Sequence, residues 1–494
     1  MNRRSSGILL HVTSLPGPYG IGDLGPAAHA WVDWLAAGGQ TWWQILPLGP
    51  PGAGDSPYQC YSAFAGNPLV ISPEVLIRDG LVSRRDVPAY SGIKDRVDFD
   101  KVAAFKDRLL GRAFEKFRGG GARKLAGPFQ RFKVEESDWL DDFALFMALR
   151  RLRPGVDWTQ WPRELLVRKA DALRSARESL REQIERIRFE QFLFFRQLGQ
   201  LRSHAAKRGV KLIGDLPMFV SPESSDVWAN RHLFKLDLRG RPKVVAGVPP
   251  DYFSKDGQRW GNPLYNWPAH ERERFDWWTR RIEAALRQAD LLRLDHFRGL
   301  QACWEVPASS PTARRGRWVR SPGAKLLKAV RRKLKGLPLI AEDLGLITPD
   351  VEKLRDDFGL PGMRVLQFGF GGDAANPHLA HNFLPRSVAY TGTHDNDTSA
   401  GWWRSLSKSQ KRHARRYVPG IEKDPARSLI RLAWESVAEL AIAPAQDVLG
   451  LGSEARMNVP GSANGNWNWR LREAPSLKHA EELRSLTELY GRAG

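Results

Sequence analysis

Three short apolar runs in this chain stop on an acid and then enter a turn: RLDHFRG (Arg293–Gly299), AEDLG (Ala341–Gly345) and GTHDND (Gly392–Asp397). A parallel barrel gathers catalytic groups at one mouth in this way, because they come from the ends of different strands. The pattern therefore constrains the fold and the chemistry together. Carboxylates clustered in distinct surroundings are the equipment for cleaving a glycosidic bond. The chain reads first as a sugar-processing enzyme.

Eight apolar runs qualify as strands: Gly7–Leu15, Thr41–Leu48, Val210–Asp215, Leu291–Asp295, Leu337–Glu342, Met363–Phe368, Ser387–Thr391 and Leu440–Pro444. Runs this apolar, separated by helical patterns, are covered on both faces, as in parallel α/β sheets. The first helix begins at Pro26 and stops at Gly38–Gly39, following the rule of proline at the start and glycine just past the end. Further helices are expected over Ser179–Lys207, His270–Gln288, Ala324–Lys335, Pro349–Phe358 and Ala426–Glu439, with a short one near His378–Phe383. The expected fold is an α/β (β/α)8 TIM barrel with large, mostly helical insertions between barrel strands and no C-terminal β-sandwich domain. An open doubly wound sheet is the alternative on pattern alone.

About 160 residues separate the second and third runs, far beyond an ordinary crossover. Residues 1–494 are thus expected to form a single catalytic barrel, with a helical inserted subdomain at 66–178 that includes Asp138–Leu152. A second insertion, 216–269, is expected to carry an acceptor-side loop between the third and fourth strands. Gly119–Gly121 and Ala308–Gly323 read as flexible loops from their small and turn-forming residues.

The net charge of +21 raises nucleic-acid binding as a hypothesis. Against it, Lys and Arg are dispersed on amphipathic helices beside acids, as in Arg177–Glu190, which is the pattern of a solvated, ion-paired helix face. No nucleic-acid partner is expected. No run approaches the roughly 18 apolar residues of a membrane span, and the amino terminus reaches the first strand at once, leaving no room for a leader. A cytoplasmic protein with no membrane partner is expected. Cys60 and Cys303 lack metal-ligand spacing and read as reduced thiols. No metal and no cofactor are expected. The 19 Trp exceed what a core needs, and indole faces match the C–H faces of a sugar.

Strand alternation places Arg293 and Asp295 on the same side, where the guanidinium favours the ionised carboxylate a nucleophile needs. A purely structural Arg–Asp pair is the competing reading. Glu342 follows the apolar Pro338–Ala341, a setting that raises a carboxyl pKa and keeps the proton; an exposed acid opening a loop is the alternative. Asp343 faces the other side and is given a supporting role. In GTHDND, turn chemistry accounts for Asn396 and Asp397, and a metal reading lacks ligands at fixed spacing.

Taken in order, RLDHFRG, AEDLG and GTHDND closely resemble the α-amylase clan, and specifically the 4-α-glucanotransferases known as amylomaltases or disproportionating enzymes. The resemblance extends over His11–Gly25, Gln44–Pro50, Asp55–Ile71, Gly214–Val220, Gly247–Trp267 and Gly465–Arg470, nearly the whole chain. It implies a retaining transfer of a 1,4-α-glucan segment to an acceptor, with Asp295 as nucleophile, Glu342 as acid/base and Asp395 as the third, substrate-binding acid. It further implies Tyr58 as a platform under the donor ring and Asp215, Arg293 and His394 as donor contacts. Trp260 and Tyr252 would line the acceptor side, and Ser56 and Asn466 would bind sugar. Helix capping near Pro217 is the other reading of Asp215. The implied partners are an α-1,4-glucan donor and a glucose or malto-oligosaccharide acceptor, acted on by a monomer or loose homodimer. An α-glucan hydrolase or branching enzyme of the same clan is the alternative activity. The segment Gly247–Gly261 would close over the acceptor and favour transfer over hydrolysis.

Overall fold

The computed structural model describes residues 4–88, 90, 92–250, 254–462 and 464–493. Among these, twelve strands occur in chain order: β1 (Ser5–Leu9), β2 (Trp42–Gln44), β3 (Lys211–Leu216), β4 (Val244–Val248), β5 (Gln258–Pro263), β6 (Leu291–Leu294), β7 (Ala302–Pro307), β8 (Arg317–Arg320), β9 (Leu339–Ala341), β10 (Gly362–Val365), β11 (Ser387–Tyr390) and β12 (Leu440–Pro444). Eight of them close a parallel barrel in the order β1-β12-β11-β10-β9-β6-β3-β2. Each overlaps one of the eight apolar runs. The strands are short and nearly all buried, as expected where helices cover the outside and side chains fill the inside. The open-sheet alternative is excluded by the β1–β12 pairing, in which Ser5 lies opposite Leu440 and Leu9 opposite Pro444.

Helix boundaries follow local chemistry. Pro26–Ala37 begins with proline and ends at Gly38, and Gly39 takes φ 70°, a left-handed conformation that glycine adopts without cost. One expected helix is broken in two, and another forms whole but is joined by a helix that precedes it. Over 270–288 the chain forms Trp267–Arg272 and then Asp276–Gln288, because Arg274 and Phe275 both adopt left-handed φ while the Phe275 ring is buried. Over 179–207 the helices Ala170–Ser179 and Arg181–Lys207 meet at Leu180. The helix Pro425–Glu435 stops short of the expected Glu439. There the Arg492 guanidinium donates to the carbonyls of Trp434, Ser436 and Ala438 at 2.7, 2.9 and 2.9 Å, satisfying acceptors that another helical turn would have used. Near residues 378–383 only the 3-10 turn Ala380–Asn382 forms.

The connection from β2 to β3 is helical, with Phe99–Arg118, Ala126–Glu135 and Ser137–Leu152 preceding the pair at Leu180. Its acids and arginines form interhelical pairs such as Arg188–Asp141 and Arg186–Asp107. One feature corrects the sequence reading. β4, β5, β7 and β8 form a second, antiparallel sheet in the order β5-β4-β7-β8. The expected loop Ala308–Gly323 therefore contains an edge strand, in which Trp318 lies opposite Trp304. Its arginine-rich sequence hides the strand because its faces are only partly buried. No helix among the described residues is long and apolar enough to cross a membrane. Both cysteines are free.

The first two barrel strands approach closely at Gly7, which pairs with Trp42. A Cβ added at Gly7 would lie 2.5 Å from the Trp42 Cβ and closer still to its carbonyl oxygen, a backbone collision that no rotamer can relieve. Gly7→Ala is therefore expected to lower the free energy of guanidinium-induced unfolding by about 1–3 kcal/mol; an unchanged midpoint would refute this account of the strand contact.

Candidate active site

The site is built outward from Arg293, in the middle of β6. The parallel register sets Arg293 directly opposite Asp215 of β3. Its Nη1 donates to both Asp215 oxygens, at 2.9 and 2.7 Å, and its Nη2 lies 2.8 Å from Asp295 Oδ1. Arg293 is 4% exposed and Asp215 fully buried, while Asp295, one residue past the strand, is 28% exposed. The Asp295 amide donates to the Leu216 carbonyl at 3.0 Å. The carboxylate is thus fixed at the barrel rim with one oxygen held from below.

Glu342 stands one residue beyond β9, the neighbour of β6. Its Oε2 accepts the His296 amide at 2.6 Å and its Oε1 the Leu344 amide at 2.9 Å. Burial pushes this carboxyl up, to about 8, with the Asp295 charge adding to the effect and Arg293 and the two amides opposing it. The apolar approach read from sequence has this consequence: the carboxyl keeps its proton in neutral solution. Asp343 faces away, accepting the Met363 amide at 2.6 Å and pairing with Arg355.

Asp215 links this pair to the third acid. Tyr58 Oη donates to Asp215 Oδ2 at 2.7 Å and lies 2.9 Å from His394 Nε2. Since the phenol proton goes to the carboxylate, Nε2–H donates to the phenol oxygen, which fixes the tautomer of His394 from its network. Tyr58 and His394 stack at 5.4 Å with an interplanar angle of 18°. Asp395 follows and is 44% exposed. Its Oδ1 accepts the Asn458 side-chain amide at 2.6 Å, and its carbonyl accepts Arg456 at 2.7 Å. Asn396 Oδ1 accepts the Thr393 amide, so this residue serves the turn as expected.

The remaining sequence candidates divide. Trp260, on β5, sets its ring edge-on to His296 at 4.8 Å, on the Glu342 side of the cleft. Ser56 Oγ accepts the Tyr58 amide at 3.2 Å, shaping the turn that presents the tyrosine. Asn466 is not drawn into the network; it accepts the Val459 amide and donates to the Ser462 carbonyl, both at 2.9 Å, and so braces its own loop. Tyr252 lies outside the described residues. Among the described residues no group of three or more His, Cys, Asp or Glu could hold a metal ion.

Several site residues escaped the sequence reading. His296 takes φ 51°, strained for a non-glycine residue, and this twist turns its amide toward Glu342. Burial lowers its imidazole to about 4, so the ring is neutral. Trp467 completes a floor at 5.7 Å from Tyr58 and 6.0 Å from His394. Its signal was the WNW run. Asn458 and Arg456 had none beyond polarity, since their contacts with Asp395 are made by a loop 63 and 61 residues away.

A family model described as 4-alpha-glucanotransferase matches residues 10–476. A 4-alpha-glucanotransferase of Thermus thermophilus is 49% identical, over 98% of this chain and 98% of its own length. A chloroplastic/amyloplastic 4-alpha-glucanotransferase of Solanum tuberosum is 44% identical, over 99% and 87% respectively. An amylomaltase structure from Streptococcus agalactiae, in complex with acarbose, superposes with a TM-score of 0.95 at 37% identity and full coverage of both chains. An amylomaltase from Corynebacterium glutamicum shares the fold at a TM-score of 0.77 and 19% identity, covering 99% of this chain and 75% of that one.

Arg293→Met would leave Asp215 buried without its cation, at an expected cost of about 3–5 kcal/mol near neutral pH. Burial already raises the Asp215 carboxyl, and Arg293 opposes that shift. A carboxyl raised in the folded state stabilises below its unfolded pKa and loses that contribution as pH rises through the folded value. The deficit of the variant should therefore be smallest near pH 4 and grow toward pH 7 in denaturant titrations; a deficit independent of pH would overturn the role given to this pair.

Proposed function

The chain belongs to the 4-alpha-glucanotransferase family, and from that premise we propose how its residues carry out the reaction. As an enzyme of this family it transfers a segment of a 1,4-α-D-glucan to an acceptor glucose or 1,4-α-glucan. The hydrolase or branching reading is not favoured.

The proposed course is a retaining double displacement. In the first half, an Asp295 carboxylate oxygen attacks the anomeric carbon while Glu342 gives its proton to the glycosidic oxygen. The bond to the leaving glucan breaks and a glucosyl ester of Asp295 forms. In the second half, Glu342, now a carboxylate, takes the proton from the acceptor 4-hydroxyl, whose oxygen attacks the same carbon and releases Asp295. Two inversions give net retention. Asp395 holds hydroxyls of the distorted donor sugar. Tyr58 lies under the donor ring, with Asp215, Arg293 and His394 behind it. Trp260 faces the acceptor, and Ser56 and Asn466 contribute through the loops they brace. No cofactor enters these steps.

One observation carries this reading. Two carboxyl groups occupy adjacent strand ends in opposite surroundings: Asp295 sits on a guanidinium and Glu342 is buried so that it keeps a proton. Acid and nucleophile are assigned by such divergence. The oxygen of Asp295 not held by Arg293 has no partner among the described residues, which leaves it available for attack.

Transfer requires that a sugar hydroxyl outcompete water at the intermediate. The connection between β7 and β8 favours this by holding part of the acceptor-side loop, the Ala313 amide donating to the Asp256 carbonyl at 3.0 Å, and within the loop Ser254 Oγ donates to the Gly257 carbonyl at 2.8 Å. We read the insertions at 66–178 and 216–269 as walls of the cleft in a single catalytic unit. We further read it as a cytoplasmic monomer or loose homodimer that engages neither nucleic acid nor membrane.

Feeding maltotriose should yield a ladder of longer chains on thin-layer analysis, and Asp295→Asn should reduce its rate by at least about a thousandfold. Glucose and maltose alone would mean hydrolysis. The pH dependence of kcat/KM should fall on the alkaline side near 8, as Glu342 loses the proton it must donate. In Glu342→Gln, assayed with α-glucosyl fluoride, whose departure needs no acid, that limb should vanish from the first half-reaction; its persistence would place the titrating group elsewhere.

A further inference from the structure

Arg298, the second arginine of RLDHFRG, is not used by the steps above, yet it is buried. Its Nη1 donates to the carbonyl of Leu346, and its guanidinium carbon sits over the Trp318 ring, 3.6 Å from the centroid. Leu346 belongs to the turn that follows Glu342, and Leu344 of that turn donates its amide to Glu342 Oε1 at 2.9 Å. The other end of the same segment is pinned too, by the Phe297 amide donating to the Glu342 carbonyl at 3.1 Å. Leu346 itself is largely exposed, so its side chain does not hold this end of the turn, whereas Leu344 and Ile347 pack against the core.

We propose that Arg298 is a positioning residue for the acid/base carboxyl: gripping the Leu346 carbonyl while stacked on Trp318, it fixes the turn that aims the Leu344 amide at Glu342. Planarity is what suits arginine to the task, since one face can stack while the edge donates. The platform comes from outside the barrel. Trp318 sits on the edge strand β8, packs edge-on against Trp304 at 5.2 Å, and Trp304 Nε1 donates to the Ala313 carbonyl at 2.9 Å. Ala313 is the residue whose amide holds the Asp256 carbonyl. β7 and β8 with their connection, which brace the acceptor-side loop, therefore also brace the general acid.

The inference rests on Glu342 being the acid/base, and full-length variants separate the two ideas. The groups that face Glu342 are Arg293 on β6 and Asp295 one residue past it, together with the His296 and Leu344 amides. The Leu344 bond favours the carboxylate, so loosening it raises the pKa of the acid. Arg298→Met is expected to lower kcat for maltotriose disproportionation about tenfold, with KM within about twofold of native. Its alkaline limb should move up by about half to one pH unit. Trp318→Leu, on a partly exposed edge strand that can change without threatening the barrel, should move kcat and the limb in the same directions, and Trp318→Phe, which keeps an aromatic face, should restore both. Native kcat per active site with a native alkaline limb in folded Arg298→Met, or in folded Trp318→Leu should the arginine variant fail to fold, would overturn the proposal and reduce Arg298 to a structural contact. Full activity in Glu342→Gln on maltotriose would instead overturn the assignment of the acid/base.

Discussion

One buried guanidinium holds the active end of this barrel together. Arg293 carries a single positive charge between two carboxylates, Asp215 beneath it and Asp295 at the rim. Its position is not adjustable, because the β3–β6 register sets it opposite Asp215. Desolvating three charges is expensive unless geometry and hydrogen bonds compensate. Here they do, through donation from one guanidinium nitrogen to both Asp215 oxygens and a further bond from Tyr58. Asp295 obtains only one oxygen's worth of this compensation. A carboxylate kept partly unsatisfied and partly exposed is poised to react, and Asp215 supplies the rigidity that a mobile nucleophile would lack.

The same region concentrates departures from ordinary folding rules. His296 is left-handed without being glycine, and His11, buried behind His394, is held neutral with its pKa lowered to about 3 by burial and by that neighbour. Glu342 is an acid placed where its charge is disfavoured. Away from the mouth some helix ends follow local chemistry closely: Pro26–Ala37 starts on proline and ends at Gly38, and Phe99–Arg118 is capped by Asp98 and ends at Gly119. Strain gathered at a functional site is stabilised by the consistency of the rest.

How much of this was legible in the sequence follows from the range of the interactions. The eight barrel strands could be read because each is buried on both faces and so composed of apolar residues in a short run. The three acids could be read because each ends such a run. The antiparallel sheet could not, since β5 and β8 are half-exposed and mix Arg, Gln and Trp. The break at Phe275 was hidden because helical periodicity continues through it, and only the tertiary burial of the ring selects the left-handed turn. Contacts such as Asn458 to Asp395 depend on loops meeting across the mouth, which no local pattern encodes.

The three acids differ in how they are anchored, and the differences match their proposed duties. Asp295 is gripped by a cation, which suits a group that must stay charged and aligned. Glu342 is gripped by two amides that hold it whether or not it carries a proton, which suits a group that alternates between acid and base. Asp395 is more exposed, and its side chain accepts one hydrogen bond from a neutral amide of the loop after β12, with His394 Nε2 farther off at 3.5 Å. A sugar hydroxyl can replace that bond at little cost, because one neutral donor is exchanged for another. Binding is thereby assigned to the acid whose partner is most easily exchanged, and bond-making to the two whose partners are fixed by the barrel.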